Sequence, residues 1–324
     1  MGNGASEFQE FEDLNPNFFP KTDGKTISLP DGRCIGYAVF GQQEQSKIVL
    51  DVLFIPGDPG YRFSFPKTHH EESVRAGLRV FVLERPGSGL STPKEDFTLL
   101  SVAADFKQAA ERLGLLRYAV VGYSAGGPFA LACGAQEPRD QISSITLISS
   151  VGPPETPNIY KNMALTFRLG WWSIKHWQWG VRQFTKMESA NFADHPRQSL
   201  REQFHIYDHD TDFARYTEDE NVEKLFLEAA LDHASRPHTE EAQIHMLLQF
   251  GKPWGFDFAE FQVPVLQFAG LRDKGSVPSI ADYFESALPD CATTRTADAG
   301  HLLFFDIWEQ VSEAIVKKWK LQQR

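Results

Sequence analysis

The spacing of apolar and polar positions changes period several times along the chain. Short alternating or apolar runs at 25–29, 33–40 and 48–55 read as strands, with Pro30-Asp31-Gly32 as the first turn. Residues 79–83 (RVFVL), 118–121 and 142–148 are nearly continuous apolar runs, as expected of strands covered on both faces. Between them, 99–113 places Val102, Phe106, Ala109, Ala110 and Leu113 at helical spacing and stops at Gly114, and 125–133 reads as a second helix. From Gly152-Pro153-Pro154 to about residue 261 no buried strand is evident, and the segment is helical, aromatic and charged. Strand character returns at 263–269 and weakly at 292–296. An amphipathic helix then runs from 304 to 319, with Ile307, Val311, Ile315 and Trp319 on one face.

Strands alternating with helices predict an α/β fold with a mostly parallel central sheet flanked by helices. The simplest division is a tail over 1–20, one sheet core from 21–152 and 261–324, and a helical insertion over 153–260. At 324 residues the chain can bury a large core.

Charge and cysteine usage narrow the function classes. A net charge of −11 argues against nucleic acid as a partner, because phosphate contacts need a basic surface, and leaves a small-molecule substrate. Cys34, Cys133 and Cys291 are odd in number and scattered, so they predict neither a disulfide framework nor a zinc site but a reducing, cytoplasmic setting. No apolar run reaches the ~18 residues of a membrane span, and the acidic first twenty residues are not a secretory signal. Met1-Gly2-Asn3-Gly4-Ala5-Ser6 fits the pattern for myristoylation of Gly2, although for so short a motif a plain flexible leader is the preferred reading. A single acyl chain beside Glu7, Glu10, Glu12 and Asp13 would in any case anchor only marginally, so no stable membrane insertion is expected.

The chemistry-bearing motif is Gly122-Tyr123-Ser124-Ala125-Gly126, a G-x-S-x-G placed after a buried strand and before a helix. A nucleophile there needs a sharp turn that only small flanking residues allow, and the next helix aims amide groups at a developing anion. A serine hydroxyl also needs a base and an orienting acid. His301, in Ala299-Gly300-His301, sits in a strand-exit loop late in the chain. The other nine histidines read as surface or satisfied core residues. Asp273 follows the strand at 263–269; Asp298 is the competing acid, but three residues before His301 it reads as a turn residue. Ser124, Asp273, His301 is the order this fold expects.

With these motifs in hand, the chain resembles the α/β-hydrolase superfamily. The nearest likeness is to the capped serine hydrolases: proline iminopeptidases, haloperoxidase-like esterases and carbon–carbon bond hydrolases. The resemblance runs from about residue 21 to 320. It rests on the runs 54–60 (FIPGDPG), 84–91 (ERPGSGLS), 122–126 and 270–278, and on Gly300-His301. It implies that 153–260 form a helical cap over the site, and that backbone N–H groups of Ala125 and the 56–60 loop make an oxyanion hole. By position the loop donor is Asp58, since Pro59 has no N–H. Two departures stand out: Ser124 replaces the aspartate nucleophile of epoxide hydrolases, and Pro56-Gly57 replaces the usual His-Gly. A carboxylate at Asp58 would oppose an oxyanion unless turned away; the alternative is that it contacts the substrate.

Trp171, Trp172, Trp177 and Trp179 make 167–184 the most aromatic stretch. Tyr123, Trp171 and Trp172 are the expected pocket residues, favouring a partly apolar substrate. His205, His209, Asp208, Asp210 and Asp212 lack a convincing metal-ligand pattern and read as a solvated acidic stretch. Nothing demands a cofactor. The expected activity is ester or lactone hydrolysis through an acyl-serine. Lyases and ligand receptors built on the same scaffold are the alternatives.

Overall fold

The computed structural model describes residues 24–136, 140–236 and 238–323; the tail, with Gly2, lies outside the described residues. Eight strands form one sheet in the order β1-β2-β4-β3-β5-β6-β7-β8. They are β1 (Lys25–Ser28), β2 (Cys34–Gly41), β3 (Leu50–Ile55), β4 (Leu78–Leu83), β5 (Tyr118–Tyr123), β6 (Ile142–Ile148), β7 (Val265–Gly270) and β8 (Cys291–Thr296). β2 pairs antiparallel with both β1 and β4, and every pairing beyond β4 in this order is parallel.

The period-2 rule divides the strand residues cleanly. Leu53, Ile55, Phe81, Leu83 and Val120 enter one buried cluster with α2 (Leu99–Arg112), α3 (Gly127–Gln136) and α10 (Pro278–Ala287). Their neighbours Val52, Phe54, Val80, Val82, Ala119 and Val121 enter another with α11 (Phe304–Leu321). Against α11 packs α1 (Lys67–Ala76), which the apolar pattern does not announce because only His69 and Ser73 of it are buried. Thr98 caps α2 by accepting from the Ser101 N–H, with the Ser101 hydroxyl accepting in return, and Gly114 follows with a left-handed φ of 73°.

Between β6 and β7 the chain is helical: α4 (Leu165–His176), α5 (Gln178–Asp194), α6 (Pro196–His205), a π turn (His209–Phe213), α7 (Ala214–Glu218), α8 (Glu220–Ser235) and α9 (Thr239–Phe250). The insertion shares its core with the sheet. Met246, Phe250 and Trp254 join the first cluster, and Leu200, Phe204, Tyr216 and Leu225 join the second.

Candidate active site

The ends of parallel strands where β-to-α turns gather are the usual place for a site in such sheets, and the chemistry-bearing residues converge there. Ser124 follows β5 directly and holds φ at 50°, a left-handed conformation that is costly for a residue with a side chain. Its neighbours make the turn possible. A Cβ on Gly122 would lie 2.6 Å from the Gly126 carbonyl oxygen, and one on Gly126 would run into the Ile55 carbonyl. The turn therefore needs glycine at both positions.

His301 enters from the loop after β8. Its Nε2 lies 2.9 Å from Ser124 Oγ, and its Nδ1 lies 2.8 Å from Asp273 Oδ2. Asp273 comes from the loop after β7, fully buried, with its other oxygen accepting the Gly275 and Ser276 N–H groups at 2.8 Å each. With the ring proton on Nδ1 donated to Asp273, Nε2 is free to accept from the serine hydroxyl. Burial alone would pull the His301 pKa down. Asp273, through charge and hydrogen bond, and Asp212 more than offset this, and the net shift is upward. Asp298 is exposed, and the carboxylate on His301 Nδ1 is that of Asp273.

Behind β3, Gly57 lies so close to Ser124 that a Cβ on it would come within 3.2 Å of the serine Cβ. Arg85, at the end of β4, fixes this loop by donating to the Pro56 carbonyl at 2.6 Å and to the Gly57 carbonyl at 3.0 Å. Asp58 accepts from Gln243 of α9 at 2.7 Å and lies 3.5 Å from Arg85. Its charge is thus countered from both the sheet side and the insertion. Ala125 begins the turn into α3, where amides lack intrahelical acceptors.

The three expected pocket residues separate. Tyr123 is buried behind the His301 loop, donating to the His301 carbonyl at 3.3 Å with its ring stacked on Phe304. Trp171 packs inward, against the first buried cluster. Trp172, about 100° further round α4, stands 52 % exposed beside His176, on the face of the helix opposite Phe167.

Several residues escaped sequence reasoning. Tyr207 lays its ring 5.1 Å from His301, with Phe167 of α4 behind it at 4.7 Å. Glu188 of α5 is pushed up to about 7 by burial, with Asp58 adding to the shift. Asp212 corrects the reading of a solvated acidic stretch: Asp210 is exposed, but Asp212 is buried and accepts the Leu302 N–H at 2.7 Å. Burial pushes its carboxyl up to about 6. The only sequence signal for it was an acid-rich turn, which does not distinguish buried from solvated.

A family profile described as alpha/beta hydrolase fold matches residues 52–306. No curated protein sequence matches the chain. Among solved structures, the esterase EaEST from Exiguobacterium antarcticum is 16% identical with a TM-score of 0.66, covering 92% of this chain and 99% of its own. The enol-lactonase from Burkholderia xenovorans LB400 is 15% identical with a TM-score of 0.62, covering 91% and 100%. The epoxide hydrolase CorEH is 13% identical with a TM-score of 0.70, covering 92% and 99%. At these identities the likeness extends to the fold.

Proposed function

Because the chain belongs to the α/β-hydrolase family, we propose that it is a serine hydrolase of small, partly apolar esters or lactones. The observation that carries this reading is the unbroken Ser124–His301–Asp273 hydrogen-bond chain at 2.9 and 2.8 Å.

Ser124 Oγ attacks the substrate carbonyl carbon while its proton passes to His301 Nε2. Asp273 holds the imidazolium and remains a carboxylate. The tetrahedral oxyanion accepts from the Asp58 and Ala125 N–H groups. Collapse breaks the ester bond, and the departing oxygen takes the proton from Nε2. Water then gives a proton to His301, attacks the acyl-serine and releases the acid, restoring Ser124. An aspartate nucleophile, as epoxide opening through an ester intermediate would need, is not at this position. The insertion serves as a cap: Tyr207 and Phe167 supply an apolar wall above His301. Asp58 turns its side chain to Gln243 and leaves only its amide for the oxyanion. With Asp58 in the loop beside Ser124 and Glu188 within electrostatic reach of Asp58, neutral substrates are favoured over those bearing a carboxylate.

A fluorophosphonate probe is expected to label the folded protein at Ser124 and to leave Ser124→Ala unlabelled. In labelled water, one oxygen should enter the acid product. Folded wild-type protein that takes no label would end the proposal. Label without oxygen incorporation would redirect it to a non-hydrolytic reaction.

A further inference from the structure

The outer surface of the insertion is unlike the rest of the molecule. Of thirteen large apolar side chains exposed among the described residues, seven fall between 165 and 187. On α4 the positions Leu165, Leu169 and Trp172 follow i, i+4, i+7 and so form one stripe, all at least half exposed. Trp177 and Trp179 extend it across the junction with α5, their rings 5.9 Å apart. The opposite face of α4 is also apolar, with Phe167, Trp171 and Ile174 packed inward. A helix apolar on both faces in a water-soluble setting leaves one face needing cover.

Charge says what covers it. The chain carries a net −11, yet residues 156–187 contain Lys161, Arg168, Lys175, Arg182 and Lys186 and no Asp or Glu. Arg182 and Lys186 are shared with Glu241 and Glu240 of α9, whereas Lys161, Arg168 and Lys175 have no ion pair among the described residues. Acids elsewhere on the molecule act weakly here, because salt screens charges beyond about 8 Å at physiological strength. A second copy of the chain is a poor occupant, since a two-fold contact would set these cations against their own images. Tryptophan and leucine flanked by unpaired Lys and Arg match the boundary between anionic headgroups and acyl chains.

We propose that the outer face of α4 and the start of α5 docks on an anionic lipid surface. No helix among the described residues is long and apolar enough to cross a membrane, so the protein lies on the surface rather than spanning it. The wall that carries Phe167 toward Tyr207 then has lipid on its other side.

The test is sedimentation of the full chain, made in bacteria so that no acyl chain contributes. It is run with vesicles of phosphatidylcholine alone and of phosphatidylcholine with phosphatidylserine. Partition into the phosphatidylserine vesicles with a blue shift of tryptophan emission is expected, with little binding to phosphatidylcholine alone. The pairs Trp172→Ser with Trp179→Ser, and Arg168→Glu with Lys175→Glu, alter exposed side chains. Each should weaken partition by about tenfold or more with unchanged circular dichroism. Ser124→Ala should bind as the wild type does, so docking and the reading of the active site can fail separately. Absence of binding to both vesicles, or equal binding by the variants, would overturn the proposal. A solution dimer that the tryptophan variants dissolve would assign the face to a second copy instead.

Discussion

Two carboxylates act on one imidazole, and they do so differently. Asp273 meets His301 Nδ1 directly, while Asp212 reaches the same loop through the Leu302 N–H. Both raise the His301 pKa, against the downward pull of burial. In the mechanism we propose, the imidazole must be neutral to accept the serine proton, so activity is lost as pH falls through that raised value. The acid limb of kcat/KM is therefore expected above the ordinary histidine range of about 6.5. Asp212→Asn removes one negative charge and keeps an acceptor for Leu302, so the limb should move to lower pH by up to about one unit. Asp212 itself gains a proton near pH 6, so its charge is felt in full only above that. An unmoved limb would show that Asp212 serves the loop's shape alone. Sequence reasoning could order Ser124, Asp273 and His301 because each follows a strand at a motif. It could not find Asp212, whose burial depends on contact with a loop about ninety residues away.

At the scale of elements, the site is a set of strand-exit loops, each needing its own support. The loop after β3 is held by the Arg85 guanidinium, buried and pulled below its usual pKa by that burial. Its two parallel N–H donations to successive carbonyls suit a planar fork and not a single ammonium. Arg85→Lys should thus misplace the Asp58 amide and lower kcat by about tenfold to a thousandfold, with a smaller change in KM. An unchanged kcat in steady-state assays would separate this loop from the chemistry. The glycines of the turn at Ser124 were legible, since strand–G-x-S-x-G–helix states a steric need directly. The role of Arg85 within 84–91 is not legible, because nothing local says which carbonyls a guanidinium will meet. Helix α1 was missed for a related reason. His69, pushed down to about 3 by burial and set 2.9 Å from the Phe304 carbonyl, is a core residue that reads as polar.

The whole molecule raises the question of whether the insertion is a separate folding unit. The sequence prompts it, because the apolar period changes at Gly152-Pro153-Pro154 and strand character resumes only near 263. Packing argues the opposite. Phe204 and Tyr216 of the insertion stack at 4.4 Å inside the cluster that also holds Phe54, Phe304 and Trp308. Polar ties repeat the pattern: Arg62 joins buried Glu84 to Asp232 of α8, and Arg272 joins the Asp273 loop to Asp208 and Asp210. Removing the insertion would expose the sheet-side half of these clusters, so neither part keeps a closed core without the other. Calorimetry should accordingly show one transition, with a van't Hoff enthalpy equal to the calorimetric one. Phe204→Ala should cost about 3–5 kcal/mol of the cavity kind and lower that single midpoint. The sheet and the insertion should then unfold together in both near- and far-ultraviolet signals. An early partial transition that Phe204→Ala shifts by itself would instead mean that the helices melt off a sheet stable without them.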